Sequence, residues 1–120
     1  EDGWQAKLRR LLTGDIPVTA VVADGDGTAA AGYNVIFESG KRIPDDVSVI
    51  GYDNSYLCEN LQVKLTSVAP NRILLGYHAY ELLKARINRT PDYLEEAVTH
   101  NIVIKPRLVL RNSIGLLPKQ

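Results

Sequence analysis

The chain has 120 residues, 45% of them hydrophobic, which suits one small domain with a modest core. Its 14 Lys and Arg balance its 14 Asp and Glu with no basic block, so this segment lacks the electrostatic footprint of a nucleic-acid-binding surface. Cys58 is the single cysteine, which excludes an internal disulfide, and no apolar run approaches the roughly 20 residues that span a bilayer.

The first predicted element is a helix over Gln5 to Leu12, with Ala6, Leu8, Leu11 and Leu12 available for one face and Gly14 to Pro17 as its stop. Val18 to Ala23 (VTAVVA) is a continuous, β-branched apolar run, the pattern of a strand buried on both faces. After the turn at 24–27, Thr28 to Ser39 reads as a helix with Ala29, Tyr33, Ile36 and Phe37 on its apolar side, ended by Gly40. Val47 to Tyr52 (VSVIGY) is a second apolar strand, so residues 18–52 form a strand–helix–strand unit of the length a right-handed parallel crossover needs.

Leu65 to Val68 is a third strand. Pro70 and Asn71 then open a helix to about Asn88, along which Ile73, Leu74, Tyr77, Tyr80, Leu83 and Ile87 recur at three- or four-residue spacing. One or two helical turns are expected over 92–98, and short strands at Ile102 to Ile104 and Leu108 to Leu110.

The strongest chemical candidates follow from topology. Asp26 lies just past the carboxyl end of the first strand and Asp53 just past that of the second, where open α/β sheets bind ligands. Neighbouring strands stand about 4.8 Å apart, so both carboxylates would reach one small molecule. Ionised Asp only accepts hydrogen bonds, which suits a ligand rich in hydroxyl or amino donors. Each residue also has a plainer reading. Asp26 before Gly27-Thr28 fits a helix N-cap, and Asp53-Asn54-Ser55 is turn chemistry.

The run Asp24-Gly25-Asp26-Gly27-Thr28 after an apolar strand also resembles the nucleophile motif of haloacid-dehalogenase-type phosphatases, with Asp24 as nucleophile and Asp26 as acid–base group. Ala29 stands where that motif carries Leu or Ile, and the completing Lys and acidic pair find no place downstream. His78 reads as a surface or packing residue, His100 has no metal-spaced partner, and Cys58 has no base at a fixed offset. Residues 7–10 read as a solvated helix face, and Trp4 as a core anchor.

Three segments carry a family resemblance: PVTAVVADGD (17–26), GKRIPDDVSVIGYDN (40–54) and LTSV (65–68), with Gly76 beyond them. Together with the tail PRLVLRNS (106–113) and the Gly3-Trp4 pair, they resemble the LacI/GalR family of transcription regulators over nearly the whole chain. The wording at 53–57 and 63–68 leans toward that family's arabinose-repressor branch. The resemblance implies an α/β, parallel-sheet, periplasmic-binding-protein-like lobe, incomplete, with a return crossing into a second lobe. On this reading residues 1–69 belong to the C-terminal lobe, 70–104 are a crossing helix and strand of the N-terminal lobe, and 105–120 are the return strand and tail.

The resemblance further implies sensing of a small-molecule effector, a sugar or related compound, in the interlobe cleft of a cytoplasmic repressor. Asp53 and Asp26 match the family's ligand-proximal Asp residues, with Gly25 and Asn54 beside them. Gly25 replaces the usual Asn of an A-N-D motif, which removes an amide donor and acceptor, and Ala69-Pro70 replaces a second polar contact. A side-by-side homodimer would use Ala30, Tyr33, Asn34 and Leu57, each of which also reads as ordinary core or surface. DNA would be met only through an N-terminal head outside this chain. No cofactor, metal, membrane contact or enzymatic activity is expected. A periplasmic sugar-binding protein of a transporter shares the architecture and is the alternative. The piece is expected to be incomplete, leaving the apolar side of the 71–88 helix in need of a partner.

Overall fold

The computed structural model describes residues 3–15, 18–88 and 102–116. The predicted turns at 92–98 lie outside these residues. The order of elements is α1 (Trp4–Thr13), β1 (Ala20–Val22), α2 (Asp26–Glu38), β2 (Ser48–Tyr52), α3 (Leu57–Asn60), β3 (Thr66–Ala69), α4 (Arg72–Asn88) and β4 (Arg107–Val109). The strands form one sheet in the order β1-β2-β3-β4. β1 runs parallel to β2 with Val21 opposite Val49, and β2 runs parallel to β3 with Gly51 opposite Ser67. The chain is therefore an α/β protein built on a mostly parallel sheet.

It divides into two compact units, one running to Ala69 and resuming at Leu108, the other spanning Pro70–Arg107. In the first unit Leu8 and Leu12 of α1, Ala29, Tyr33, Val35 and Ile36 of α2, and Val47, Val49 and Leu65 around the strands make one apolar core. α2 packs on β2 and α1 because its buried positions recur at helical spacing. It ends where Gly40 takes a left-handed φ of 73°, the conformation a helix terminator needs and glycine adopts without strain.

Three expectations are corrected here. β1 is an edge strand, so its apolar run is not buried on both sides, and Val22 is 77% exposed. Trp4 is 45% exposed and is only partly an anchor. Residues 102–104 form no strand, while the next one starts at Arg107. The four-residue α3 was not anticipated; its Cys58 is fully buried.

The second unit holds α4, opened by Asn71, whose Oδ1 accepts from the amide of Leu74 at 3.1 Å. Only Ala85 of this helix is buried, and Ile73, Tyr77, Tyr80, Leu83 and Ile87 are all exposed.

Candidate functional site

The parallel register aligns the carboxyl ends of β1, β2 and β3 at one edge of the sheet, and the segments leaving that edge are the turn 24–26 and the loop 53–56. Two residues of the loop have left-handed backbone, Asp53 with φ 102° and Asn54 with φ 51°. Asp and Asn tolerate this region better than other non-glycine residues, and two in succession still cost up to about 1–3 kcal/mol each where the surroundings hold them there.

The surroundings do so through three successive amides. The N–H of Asp53 donates to Val68 O at 2.9 Å, continuing the ladder with β3. That of Asn54 donates to Ser67 Oγ at 3.0 Å, and that of Ser55 to Asp26 Oδ2 at 2.6 Å. Ser67 Oγ in turn donates to Asp26 Oδ1 at 2.6 Å. With its amides drawn toward β3 and α2, the loop carries the Asp53 side chain at the exposed surface. A β-carbon built on Gly25 would stand 3.9 Å from Asp53 Oδ2, so Gly25 and Asp53 face each other across the strand ends.

Asp26 differs from both sequence readings in where its carboxylate goes. Gly25 is the N-cap of α2, without a side-chain cap bond, and Asp26 is the first helical residue. Its side chain is 2% exposed. Burial pushes this carboxyl up, but the Ser67 hydroxyl and the Ser55 amide outweigh that effect and hold it below its ordinary 3.8. Burial likewise pushes the Cys58 thiol up, and the Asp26 carboxylate beside it adds to the rise.

Asn54 is engaged on its side-chain oxygen, which accepts from Arg111 Nη2 at 2.8 Å. Arg111 also donates to Leu65 O at 2.9 Å and pairs with Glu59 on α3, whose carboxyl Arg111 and then Lys64 hold below its usual range. Two residues further on, Ser113 Oγ donates to Val49 O at 2.6 Å and accepts from Thr66 N at 2.8 Å, bridging β2 and β3. The supporting roles of Arg111, Ser113 and Ser67 were missed in the sequence. The first two stood out there only as letters of the tail pattern, and Ser67 only as a strand residue.

The positions named for a homodimer separate. Tyr33 is core, 2% exposed, with its hydroxyl donating to Val63 O at 3.1 Å, while Asn34 is exposed and Ala30 and Leu57 are half-buried. Asp24 is exposed and lines an apolar groove of about 420 Å³ along α1, β1 and α2 with Trp4, Leu8 and Val22; Asp26 and Asp53 are not among its walls. His78 stacks edge-on against Tyr77, and His100 lies outside the described residues. Among the described residues, no three His, Cys, Asp or Glu side chains are placed to hold a metal ion, and no helix is long and apolar enough to cross a membrane.

The periplasmic binding protein-like domain model matches residues 1–114. The HTH-type transcriptional repressor PurR of Histophilus somni (strain 129Pt) is 36% identical over 118 residues, 98% of this chain and 33% of its own length. The LacI family transcriptional regulator from Enterococcus faecium, solved with bound ribose, aligns with a TM-score of 0.70 and 32% identity over 98% of this chain and 41% of its own. The corresponding regulator from Arthrobacter sp. FB24, in complex with lactose, aligns at 0.69 and 30% identity over 92% and 41%. The chain thus spans about a third of the length of the curated relatives it matches.

Proposed function

Because this chain belongs to the periplasmic binding protein-like family, as a member of its LacI/GalR branch, we propose that it is part of the effector-sensing domain of a DNA-binding transcriptional repressor. The effector is a sugar or a chemically similar polyhydroxyl compound, held against the carboxyl edge of the sheet by the exposed carboxylate of Asp53. The observation that carries this reading is the strained loop at 53–54, which holds an acceptor-only group where an α/β sheet takes its ligands. A sugar hydroxyl donating to that carboxylate contributes about 1.5–3 kcal/mol. Gly25, opposite, leaves space on the other side of the ligand, and Asn54 lies at the rim with its amide nitrogen available.

Regulation follows from differential affinity. A ligand shifts DNA binding only by binding one arrangement of the whole protein better than the other. The DNA contact is assigned to a head outside this chain. The homodimer is assigned to the surface that includes Ala30, Asn34 and Leu57, and the protein to the cytoplasm.

The relatives' names support a repressor over a transporter's binding protein. The engagement of Asp26 with Ser55 and Ser67 removes the acid–base group a phosphatase would need, so the protein is assigned no enzymatic role. A thermal-shift screen of the full-length protein against ribose, lactose, glucose and cellobiose tests the assignment. At least one sugar is expected to raise the melting temperature, and Asp53→Ala to abolish the rise. An undiminished rise in that variant refutes the site.

A further inference from the structure

We infer that Asp26 is a positioning residue: its buried carboxylate acts through Ser67 Oγ and the Ser55 amide to keep Asp53 and Asn54 in the left-handed conformation that presents Asp53. The proposal deepens the sensor reading and rests on it for the role of Asp53, but its structural content stands on the hydrogen-bond geometry alone.

The polarity of the network fixes the roles. A serine hydroxyl has one proton. Ser67 Oγ spends it on Asp26 Oδ1 at 2.6 Å, so toward Asn54 it acts as acceptor, at 3.0 Å from the amide nitrogen. Asp26 Oδ2 takes the next amide, that of Ser55, at 2.6 Å. One carboxylate thus satisfies a donor in the loop directly and aligns an acceptor for the donor before it. An ionised carboxylate accepts at both oxygens, whereas an amide accepts at one and donates at the other. Asp26→Asn therefore places a donor against either the Ser55 amide or the Ser67 hydroxyl.

Burial makes these bonds count. Asp26 and Ser67 are shielded from water, so a lost partner is not replaced by solvent. The amides of Asp53, Asn54 and Ser55 tie the loop to β3 and α2, and the Arg111 contact to the Asn54 side chain adds to them.

The test is hydrogen–deuterium exchange of the full-length protein as wild type, Asp26→Asn, Ser67→Ala and Ser67→Thr. Asp26→Asn and Ser67→Ala are expected to speed exchange in the 53–57 segment at least tenfold, with β1 and β2 within twofold of wild type. Ser67→Thr, which keeps the hydroxyl, is expected to restore most of the protection. Unchanged exchange at 53–57 overturns the proposal. So does a rise spread evenly over the sheet, or loss of the fold, because either would make Asp26 a support of the unit as a whole. Binding of ribose, lactose, glucose and cellobiose is measured on the same four proteins. If wild type binds none of them, the sugar reading fails while the exchange result still decides the role of Asp26. If wild type binds, the two disrupting variants are expected to lose at least tenfold in affinity.

Discussion

Gly51 and Asp26 occupy one another's space: a β-carbon on Gly51 would collide with Asp26 Oδ1 and stand 2.9 Å from Leu65 Cδ2. The glycine of the GYD run is thus explained by the close approach of the first turn of α2 to β2. Gly51→Ala is expected to destabilise the full-length protein by about 1–3 kcal/mol, the range for overpacking a filled interior. Urea denaturation at neutral pH measures it, and a loss under about 0.5 kcal/mol, within the usual range for a neutral surface change, would show that the carboxylate moves aside freely.

Gly25 is expected to tolerate enlargement. Its φ of −160° is extended backbone, and an added β-carbon would be in ordinary contact with Asp53. Gly25→Asn places a favoured N-cap residue ahead of α2 and should stabilise by a few tenths of a kcal/mol. It also puts an amide beside Asp53, so the order of preference among ribose, lactose, glucose and cellobiose is expected to change. An unaltered order in a thermal-shift panel would separate Gly25 from the ligand.

The acid limb of stability is expected to carry the signature of Asp26. A carboxyl whose folded value lies below its unfolded one contributes stability that is complete above the unfolded value and is lost as pH falls through the folded one. Asp26 is of this kind. The melting temperature of wild type should therefore fall from about pH 4 downward, near the ordinary carboxyl range. Asp26→Asn should start lower and fall less steeply. Parallel curves for the two proteins between pH 2.5 and 6 would contradict this.

Ser113→Ala removes a hydroxyl that serves both β2 and β3. It leaves Val49 O and Thr66 N without that partner in a site closed to water. The expected cost is about 1–3 kcal/mol for each buried group left unpaired. Denaturant titration of the full-length variant measures it.

The 120-residue chain alone is expected to self-associate, since α4 exposes Ile73, Tyr77, Tyr80, Leu83 and Ile87 together. Elution as a stable species of 13.3 kDa in size-exclusion chromatography would count against it.

The helices and strands were largely legible because their apolar residues repeat at helical spacing or run unbroken. The place of Asp53 just past the carboxyl end of β2, in turn-forming sequence, was legible because strand-end topology needs only the order of elements. The direction of Asp26 was not, because it is set by Ser67, 41 residues away, and by a glycine on β2 with no side chain to interfere. The apolar run of β1 gave the right element and the wrong burial, since local pattern does not say how many neighbours a strand has. The break at 102–106 falls where Ile102-Val103-Ile104 runs into Lys105-Pro106, and the strand-like composition there outweighed the missing proline amide.

The bridge from Ser113 to Val49 joins positions 64 apart, across the whole excursion of residues 70–107. During synthesis, at roughly 5–20 residues per second, β2 and β3 emerge seconds before the segment that cross-ties them. Until it arrives Val49 O and Thr66 N lack their native partner and Asn54 lacks the guanidinium of Arg111. The 53–56 loop of a nascent chain therefore gains its last support late, and a ribosome stalled before residue 111 holds a sheet whose β2 and β3 are not yet cross-tied.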